Sequence, residues 1–435
     1  MSKNPFLAID KRILADAGTS RDVDDNLSAL CDGIGPRFAG TPNYRKAADY
    51  VLDRFKQYKL DDAALEPFAF TAWRRGAPAS LVLASPSALT IDCYALPYGA
   101  ATPPEGVTAR LLDIGGGSSD EIQAVRKRIK GRLVLTGGAS GHRTDIYAQC
   151  AALGAAGFIL SSPFEGNTLV TGSVAEGRDG IIPAISIGRE SALQLQRLAK
   201  ENDLRLTLTL DARLEASTTW NVVGELKGSE RPEELVIMGG HLDSHELSHG
   251  AFDNGAGVVQ VIEAARLLAK QRKHLKRTVR FIAFGAEEVG LLGSHYYAKT
   301  HAAELRKGRF MLNCDTPSFG RPRGLAFHEC PRAAAYMAKL SEQMQTELVC
   351  QNRSHRHSDH YPFILQGLPT AGIGGGPFGP LGRQYPHTAA DTLDKISLTD
   401  LRDCAAFSAR ILLRVASDDA WPSMRRSKKE IATWR

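Results

Sequence analysis

The chain carries two textures of apolar and polar positions. Short continuous apolar runs at 235–238, 279–284 and 310–314 read as buried parallel strands, because a strand covered on both faces loses the alternation of a half-exposed one. Between the first two, Val258, Val261, Ile262, Ala265 and Leu268 recur at helical spacing and predict an amphipathic helix. The amino-terminal part predicts helices over 22–32 and 43–58 and a strand over 65–70. From about 78 to 214 the texture shifts to short strands and Gly/Pro turns, with apolar runs at 133–136, 158–160 and 185–187 and a small-residue helical stretch at 148–156. The first texture resumes at Thr218-Thr219-Trp220-Asn221. Strands alternating with helices predict an α/β fold: a mixed, largely parallel sheet sandwiched by helices, built from residues 1–77 and 215–435, with a β-rich unit inserted at 78–214. At 435 residues the chain is long enough for two cores.

The ends of the apolar runs carry the chemistry. The run at 279–284 leads into Gly285-Ala286-Glu287-Glu288, and open α/β sheets bind ligands at the carboxyl ends of their strands. Two adjacent carboxylates repel each other unless a cation sits between them. With a dication present, one binds the ion and the other handles the proton of an activated water. The competing structural reading is an acidic first turn of a helix. The run at 235–238 leads to His241-Leu242-Asp243-Ser244, and the run at 310–314 to Asp315. Asp253 precedes the amphipathic helix, where it reads either as a helix cap or as a ligand. His387 follows Tyr385-Pro386 in a loop before the last helix. Two imidazoles and three carboxylates, with a Glu to spare, suit a borderline ion such as zinc. A carboxylate can also bridge two ions, as in two-metal hydrolases.

At these residues the chain resembles the M28 peptidases, which are co-catalytic zinc exopeptidases. The matching segments are His241-Leu242-Asp243-Ser244, Gly250-Ala251-Phe252-Asp253-Asn254-Gly255-Ala256-Gly257, Ala286-Glu287-Glu288, Asn313-Cys314-Asp315, and His387 with Asp391-Thr392, in that order. The resemblance implies the zinc-exopeptidase fold and two zinc ions per chain. One is held by His241, Asp253 and Asp315, and the other by Asp253, Glu288 and His387. Asp253 is then the bridge, Glu287 the general base, and Asp243 orients His241. The amino-terminal segment from Leu30-Cys31-Asp32-Gly33 through Gly35-Pro36-Arg37-Phe38 to Gly40-Thr41 resembles one subgroup of the family, as do Trp73-Arg74-Arg75-Gly76 and the stretch from Gly99 to Gly106. Three positions depart from that pattern: His245 stands where the subgroup tends to carry Trp, Asn254 where many relatives have Asp, and Pro386 directly before the ligand His387.

The insert is similar to a protease-associated domain at Gly131-Arg132-Leu133-Val134-Leu135, Ala155-Ala156-Gly157-Phe158-Ile159-Leu160 and Ile182-Pro183-Ala184-Ile185. It holds no His/Asp/Glu cluster, so its expected role is to cover a cleft and select substrate. Its deletion is expected to change substrate range more than metal content. The resemblance implies peptide substrates, with aminopeptidase or dipeptidase action on short peptides, and a homodimer. Two other classes compete: an acyltransferase of the glutaminyl-cyclase type working with one zinc, and a non-catalytic receptor on the same fold.

The remaining features change the picture little. The formal charge of +6 is partly gathered in Arg425, Arg426, Lys428, Lys429 and Arg435, a solvated end rather than a nucleic-acid surface. No run of eighteen apolar residues exists to span a membrane. The first residues lack a signal-peptide pattern, and seven scattered Cys fit a reducing compartment, so a cytoplasmic location is expected. Cys314 reads as packing. Tyr385 is a candidate oxyanion partner or a plain pocket wall. Arg383 and Arg353 are candidates for gripping a terminal carboxylate. His355, His357 and His360 share no helical face; His360 and its neighbours read as pocket lining rather than a third metal site. His245 and His249 read either as substrate contacts or as loop surface.

Overall fold

The computed structural model describes residues 4–85, 88–316, 323–327, 330–352, 355–374, 385–421 and 424–434. Two eight-stranded mixed sheets organise them. The first contains β1 (Asp61–Arg75), β2 (Ala212–Leu226), β3 (Arg231–His241), β4 (Arg277–Phe284), β5 (Gly308–Asn313), β6 (Arg323–Phe327), β7 (Leu348–Asn352) and β8 (Thr370–Gly374). Their spatial order is β1-β2-β4-β3-β5-β8-β6-β7. The centre is parallel: β3 pairs with β4 on one side and β5 on the other, and β5 pairs with β8. β3, β4 and β5 carry the predicted apolar runs, and both faces of those runs are buried. The register sets His241 beside Phe284 and Gly239 beside Asn313, so the carboxyl ends of β3, β4 and β5 finish at one level.

Helices cover this sheet. The helix α1 (Pro42–Gln57) starts with Thr41 accepting the Tyr44 amide and with Pro42 in its first turn, where a missing N–H costs nothing. The helix α2 (Ala256–Ala269) was expected to be amphipathic, yet it is buried through Leu268, polar residues included. Its polar face is matched rather than solvated: Gln260 donates to Ser408 at 2.8 Å, and Arg266 pairs with Glu263 at 2.7 Å. The covering elements are α3 (Leu398–Ser417) and the helix Leu7–Thr19, which the sequence pattern did not reveal. Buried Asp10 on that amino-terminal helix pairs with Arg410 at 3.0 Å and with Arg414 at 2.7 Å, both on α3.

The long antiparallel ribbon of β1 and β2 leads the chain out to the second sheet and back, with Arg75 opposite Ala212. That sheet uses strands from Ser80–Ser85 to Arg205–Thr209, with a parallel centre of Val107–Asp113, Arg132–Thr136, Gly157–Ser161 and Ala184–Ile187. The helix expected over 148–156 occupies Arg143–Ala152 instead. One apolar cluster joins the two sheets: Phe38, Phe68, Trp73, Ala286 and Val289 pack with Leu81, Leu133 and Ile185. The two sheets therefore share core packing, and the cavity described below lies between elements of both.

Candidate metal centre

Three of the ligand candidates, His241, Glu288 and Asp315, lie at or just beyond the ends of β3, β4 and β5, while Asp253 and His387 come from the turn Ala251–Gly255 and from a loop before α3. His241 is the last residue of β3 and is buried. Its Nδ1 lies 3.1 Å from the main-chain oxygen of Asp243, which fixes the ring and leaves Nε2 facing the strand ends. The Asp243 carboxylate lies 3.7 Å from that same Nδ1, and its two oxygens accept the amides of Glu287 and Glu288 at 3.1 Å each. Asp243 thus positions three residues of the centre, the imidazole chiefly through its backbone.

Asp253 does not cap α2. It lies in the tight turn Ala251–Gly255, where the Asp253–Asn254 peptide is cis, and the helix that follows has no side-chain cap. Its carboxylate faces two imidazoles: Oδ1 is 3.1 Å from His241 Nε2, and Oδ2 is 3.3 Å from His387 Nε2. Asp315 Oδ1 approaches His241 Nε2 at 3.4 Å, and Glu288 Oε2 approaches His387 Nε2 at 3.6 Å. Neighbours hold the turn. Buried Asp391 accepts the amides of Phe252 at 2.5 Å and Asp253 at 2.9 Å. Asn254 donates to the carbonyls of Cys314 at 2.8 Å and His241 at 3.3 Å, and accepts the Thr316 amide at 3.1 Å. The amide side chain of Asn254 both donates and accepts here, which an ionised Asp cannot do.

The amino-terminal signature acquires a physical reason. Arg37 is fully buried, and its guanidinium donates to the carbonyls of Leu30, Gly35, Leu242, His249 and Gly250. Its amide donates to Ser244 Oγ at 3.0 Å. Arg37 thus ties the loop between His241 and Asp253 to the amino-terminal segment.

His387 is positioned from the second sheet's side. Its Nδ1 lies 3.1 Å from the carbonyl oxygen of Thr171, and its own carbonyl accepts the Thr171 amide at 2.9 Å. The pairing holds His387 at φ 60, a backbone region that L side chains occupy only when their surroundings fix them there. The insert, which holds no His/Asp/Glu cluster of its own, therefore touches a ligand candidate through its backbone. A backbone carbonyl has no signature in a sequence.

The centre opens into a cavity of about 370 Å³ lined by Glu287, Glu288, His387, and, from the second sheet's loops, His142, Arg143 and Glu176. Across it His142 stacks on His357 at 4.0 Å between ring centres. Arg143 donates through Nε to the Ser173 carbonyl at 2.9 Å. A Cβ on Gly172 would come within 2.2 Å of that Nε, so glycine there makes room for the guanidinium. These insert residues were not singled out in the sequence, where an Arg at the start of a helix looks ordinary.

Two expected pocket residues lie elsewhere. His360 is buried with Nε2 3.0 Å from the His355 carbonyl, while its neighbour Tyr361 lines the cavity, with Arg356 and His357. Tyr385 lies at a turn with its ring under the Lys395 ammonium at 5.5 Å and is not among the lining residues. His249 stays half-exposed beside Asp32. Arg383 and Arg353 lie outside the described residues.

Electrostatics point to a cation. Burial, together with Asp253, pushes the Glu288 carboxyl up to about 8. Burial and the charges of Asp315 and Glu288 hold Glu287 well above the usual range. Although burial opposes its charge, His241 is raised well above its ordinary value by Glu287, Asp243, Asp253 and Asp315. Negative charge concentrated in this way requires protons or metal. The donor set fits the latter: ligands of one zinc at about 2.1 Å stand roughly 3.3 Å apart, and the facing oxygens and nitrogens here are 3.1–3.6 Å apart. Three donor atoms lie within 4.8 Å of one another in each of two groups, His241/Asp253/Asp315 and His245/Glu288/His387.

A parallel sheet whose carboxyl-end loops gather His241, Asp253, Asp315, Glu288 and His387 at a cavity is the arrangement of a metal-dependent hydrolase. Comparison with known proteins makes the class definite. The model of peptidase family M28 matches residues 221–412. Human carboxypeptidase Q, of the subgroup anticipated from the amino-terminal segment, is 30% identical over 369 residues, covering 80% of this chain and 76% of that protein. The solved M28 peptidase precursor from Shewanella amazonensis superposes with a TM-score of 0.80 at 26% identity, covering 96% of this chain and 98% of the other. A zinc aminopeptidase from Bacillus subtilis gives a TM-score of 0.71 at 25% identity, covering 94% and 98%. The chain belongs to peptidase family M28 and is a metallopeptidase.

Proposed function

We propose that the chain is a co-catalytic dizinc exopeptidase that hydrolyses terminal bonds of short peptides or dipeptides. One observation carries the reading: the two oxygens of the single Asp253 carboxylate face the Nε2 atoms of two different histidines, at 3.1 and 3.3 Å. A carboxylate so placed serves two ions at once. His241 and Asp315 complete one position, and Glu288 and His387 belong to the other. Zinc, when bound, supplies Lewis acidity and an acidified water.

The chain's own residues do the rest. Glu287 stands at the cavity wall beside Glu288 and is not needed as a ligand, so it is free to take a proton from water and pass it to the leaving amine. Arg143 supplies a positive charge to the same cavity, suited to a substrate carboxylate. The volume admits a peptide of a few residues and no folded chain. Residues 78–214 are taken as an inserted protease-associated domain that roofs this cavity.

The test combines metal analysis with a panel of free, amino-blocked and carboxy-blocked dipeptides. Two zinc per chain and loss of turnover on blocking a terminus are expected. One zinc per chain, or full-rate cleavage of amino-blocked substrates, would overturn the reading; the first result is the one a glutaminyl-cyclase-type enzyme gives.

A further inference from the structure

We propose that His245 is a protein ligand of the second metal position, beside Glu288 and His387, which makes that position richer in nitrogen than the first. This inference rests on the dimetal reading above and adds to it a ligand outside the pattern of the family.

The geometry is specific. His245 Nε2 lies 2.9 Å from Glu288 Oε2, the same oxygen that stands 3.6 Å from His387 Nε2. One donor atom from each of the three residues falls within 4.8 Å of the other two. His245 is only 3% exposed, and neither of its ring nitrogens has a hydrogen-bond partner. Nε2 is close to the Glu288 oxygen without the alignment of a hydrogen bond. Two donors side by side, aimed at a common point rather than at each other, are what shared coordination of one ion requires. A buried imidazole nitrogen left unpaired costs on the order of 1–3 kcal/mol, and coordination removes that cost at Nε2.

The ring is also held in place. Phe38 stacks against it at 5.9 Å with planes 28° apart, and the His387 ring leans on it at 4.6 Å. Both neighbours in sequence are anchored: Ser244 Oγ accepts the Arg37 amide, and Glu246 pairs with Arg75 at 3.1 Å. Packing thus orients this imidazole where the other two rely on backbone carbonyls. The first position then has one imidazole and two carboxylates, and the second has two imidazoles with Glu288 and a share of Asp253. Nitrogen-rich sites favour cobalt, nickel and zinc over manganese and magnesium. The two positions therefore fill in order, the second before the first.

The test uses the full-length apoprotein titrated with Co²⁺ and read by calorimetry and by the paramagnetically shifted, exchangeable imidazole N–H resonances. Three such signals and two unequal binding steps are expected. His245→Phe, which keeps the stack on Phe38 but removes the nitrogens, is expected to show two signals and to weaken the tighter step more than tenfold, with the other step unchanged. Should that variant misfold by circular dichroism, His245→Gln takes its place. Two signals in both proteins with equal affinities would refute the role of His245 and leave the dimetal reading standing. A wild-type chain that binds a single ion would sink both.

Discussion

Asp391 accepts the main-chain amide of Asp253 at 2.9 Å, so one buried carboxylate holds in place the carboxylate set between two histidines. The same side chain takes the Phe252 amide, leaving the turn no freedom to swing its Asp out of register. Removing an outer partner of a metal ligand typically costs about 10–100-fold in affinity. Asp391→Ala is accordingly expected to weaken zinc binding by that factor while leaving the circular dichroism spectrum intact. Competition with a chromophoric chelator measures it; unchanged affinity would show that the turn keeps its shape unaided.

Glu287 lines the cavity beside Glu288 and has no ligand duty in the proposed arrangement. Glu287→Gln is expected to keep both metals and lose about 10²–10⁴-fold in kcat. Glu288→Gln is expected to lose metal as well as rate. The pair of variants, assayed for zinc content and turnover together, separates base from ligand; equal metal loss in both would remove the distinction.

Arg37 reaches five backbone carbonyls from a fully buried position. Truncation leaves those acceptors without their donor, each worth about 1–3 kcal/mol when stranded. Arg37→Met is expected to destabilise the chain by on the order of 3 kcal/mol or more, read by urea unfolding. A loss below 1 kcal/mol would mean that water replaces the guanidinium.

The metal-free chain should become less stable as pH rises from about 6.5 to 8. Burial lifts the carboxyls of Asp359 and Asp391 to about 7 and that of Glu288 to about 8, against roughly 4 in an unfolded chain. In this window the folded chain binds more protons than the unfolded one, so the slope of stability with pH is negative. His241, raised above its unfolded value, loses its contribution in the same direction. Below about 6.5 the trend is offset, because burial and the Arg143 charge lower His142 to about 3 and His245 to about 4. Zinc replaces the protons and should abolish the decline. Thermal melts of apo and zinc-loaded protein across the window provide the check; parallel profiles would contradict it.

Arg143→Met should raise KM about tenfold or more for peptides with a free carboxyl terminus, and much less for the matching amides, since charge-assisted hydrogen bonds are worth about 1.5–3 kcal/mol. Gly172→Ala should act in the same direction by displacing the guanidinium. Equal effects on acids and amides would assign Arg143 to the cavity wall alone.

What the sequence made legible follows from where the physics is local. The apolar runs that became β3, β4 and β5 announce themselves because a doubly buried strand needs continuous apolar residues, and the residue after each run then lies at a sheet edge. His241, the Glu287–Glu288 pair and Asp315 were readable on that ground. Asp253 was ambiguous, since a cap and a ligand use the same side chain in the same place; only the position of His387, far along the chain, decides between them. Tyr385 and His360 are not among the residues lining the cavity, because nearness in sequence to a ligand does not set the direction of a side chain. The helix Leu7–Thr19 buries Ile9, Ile13 and Ala17 and pairs its Asp10 with Arg410 and Arg414, a contact across nearly the whole chain that no local pattern encodes.

The Thr171–His387 clasp joins residues 216 positions apart. The support of one metal-ligand candidate is therefore written in a different part of the chain from the candidate itself. For protein engineers the same clasp limits modular exchange. Transplanting the second sheet from a relative to alter selectivity would discard the His387 support unless the donor segment offers a carbonyl at the equivalent point.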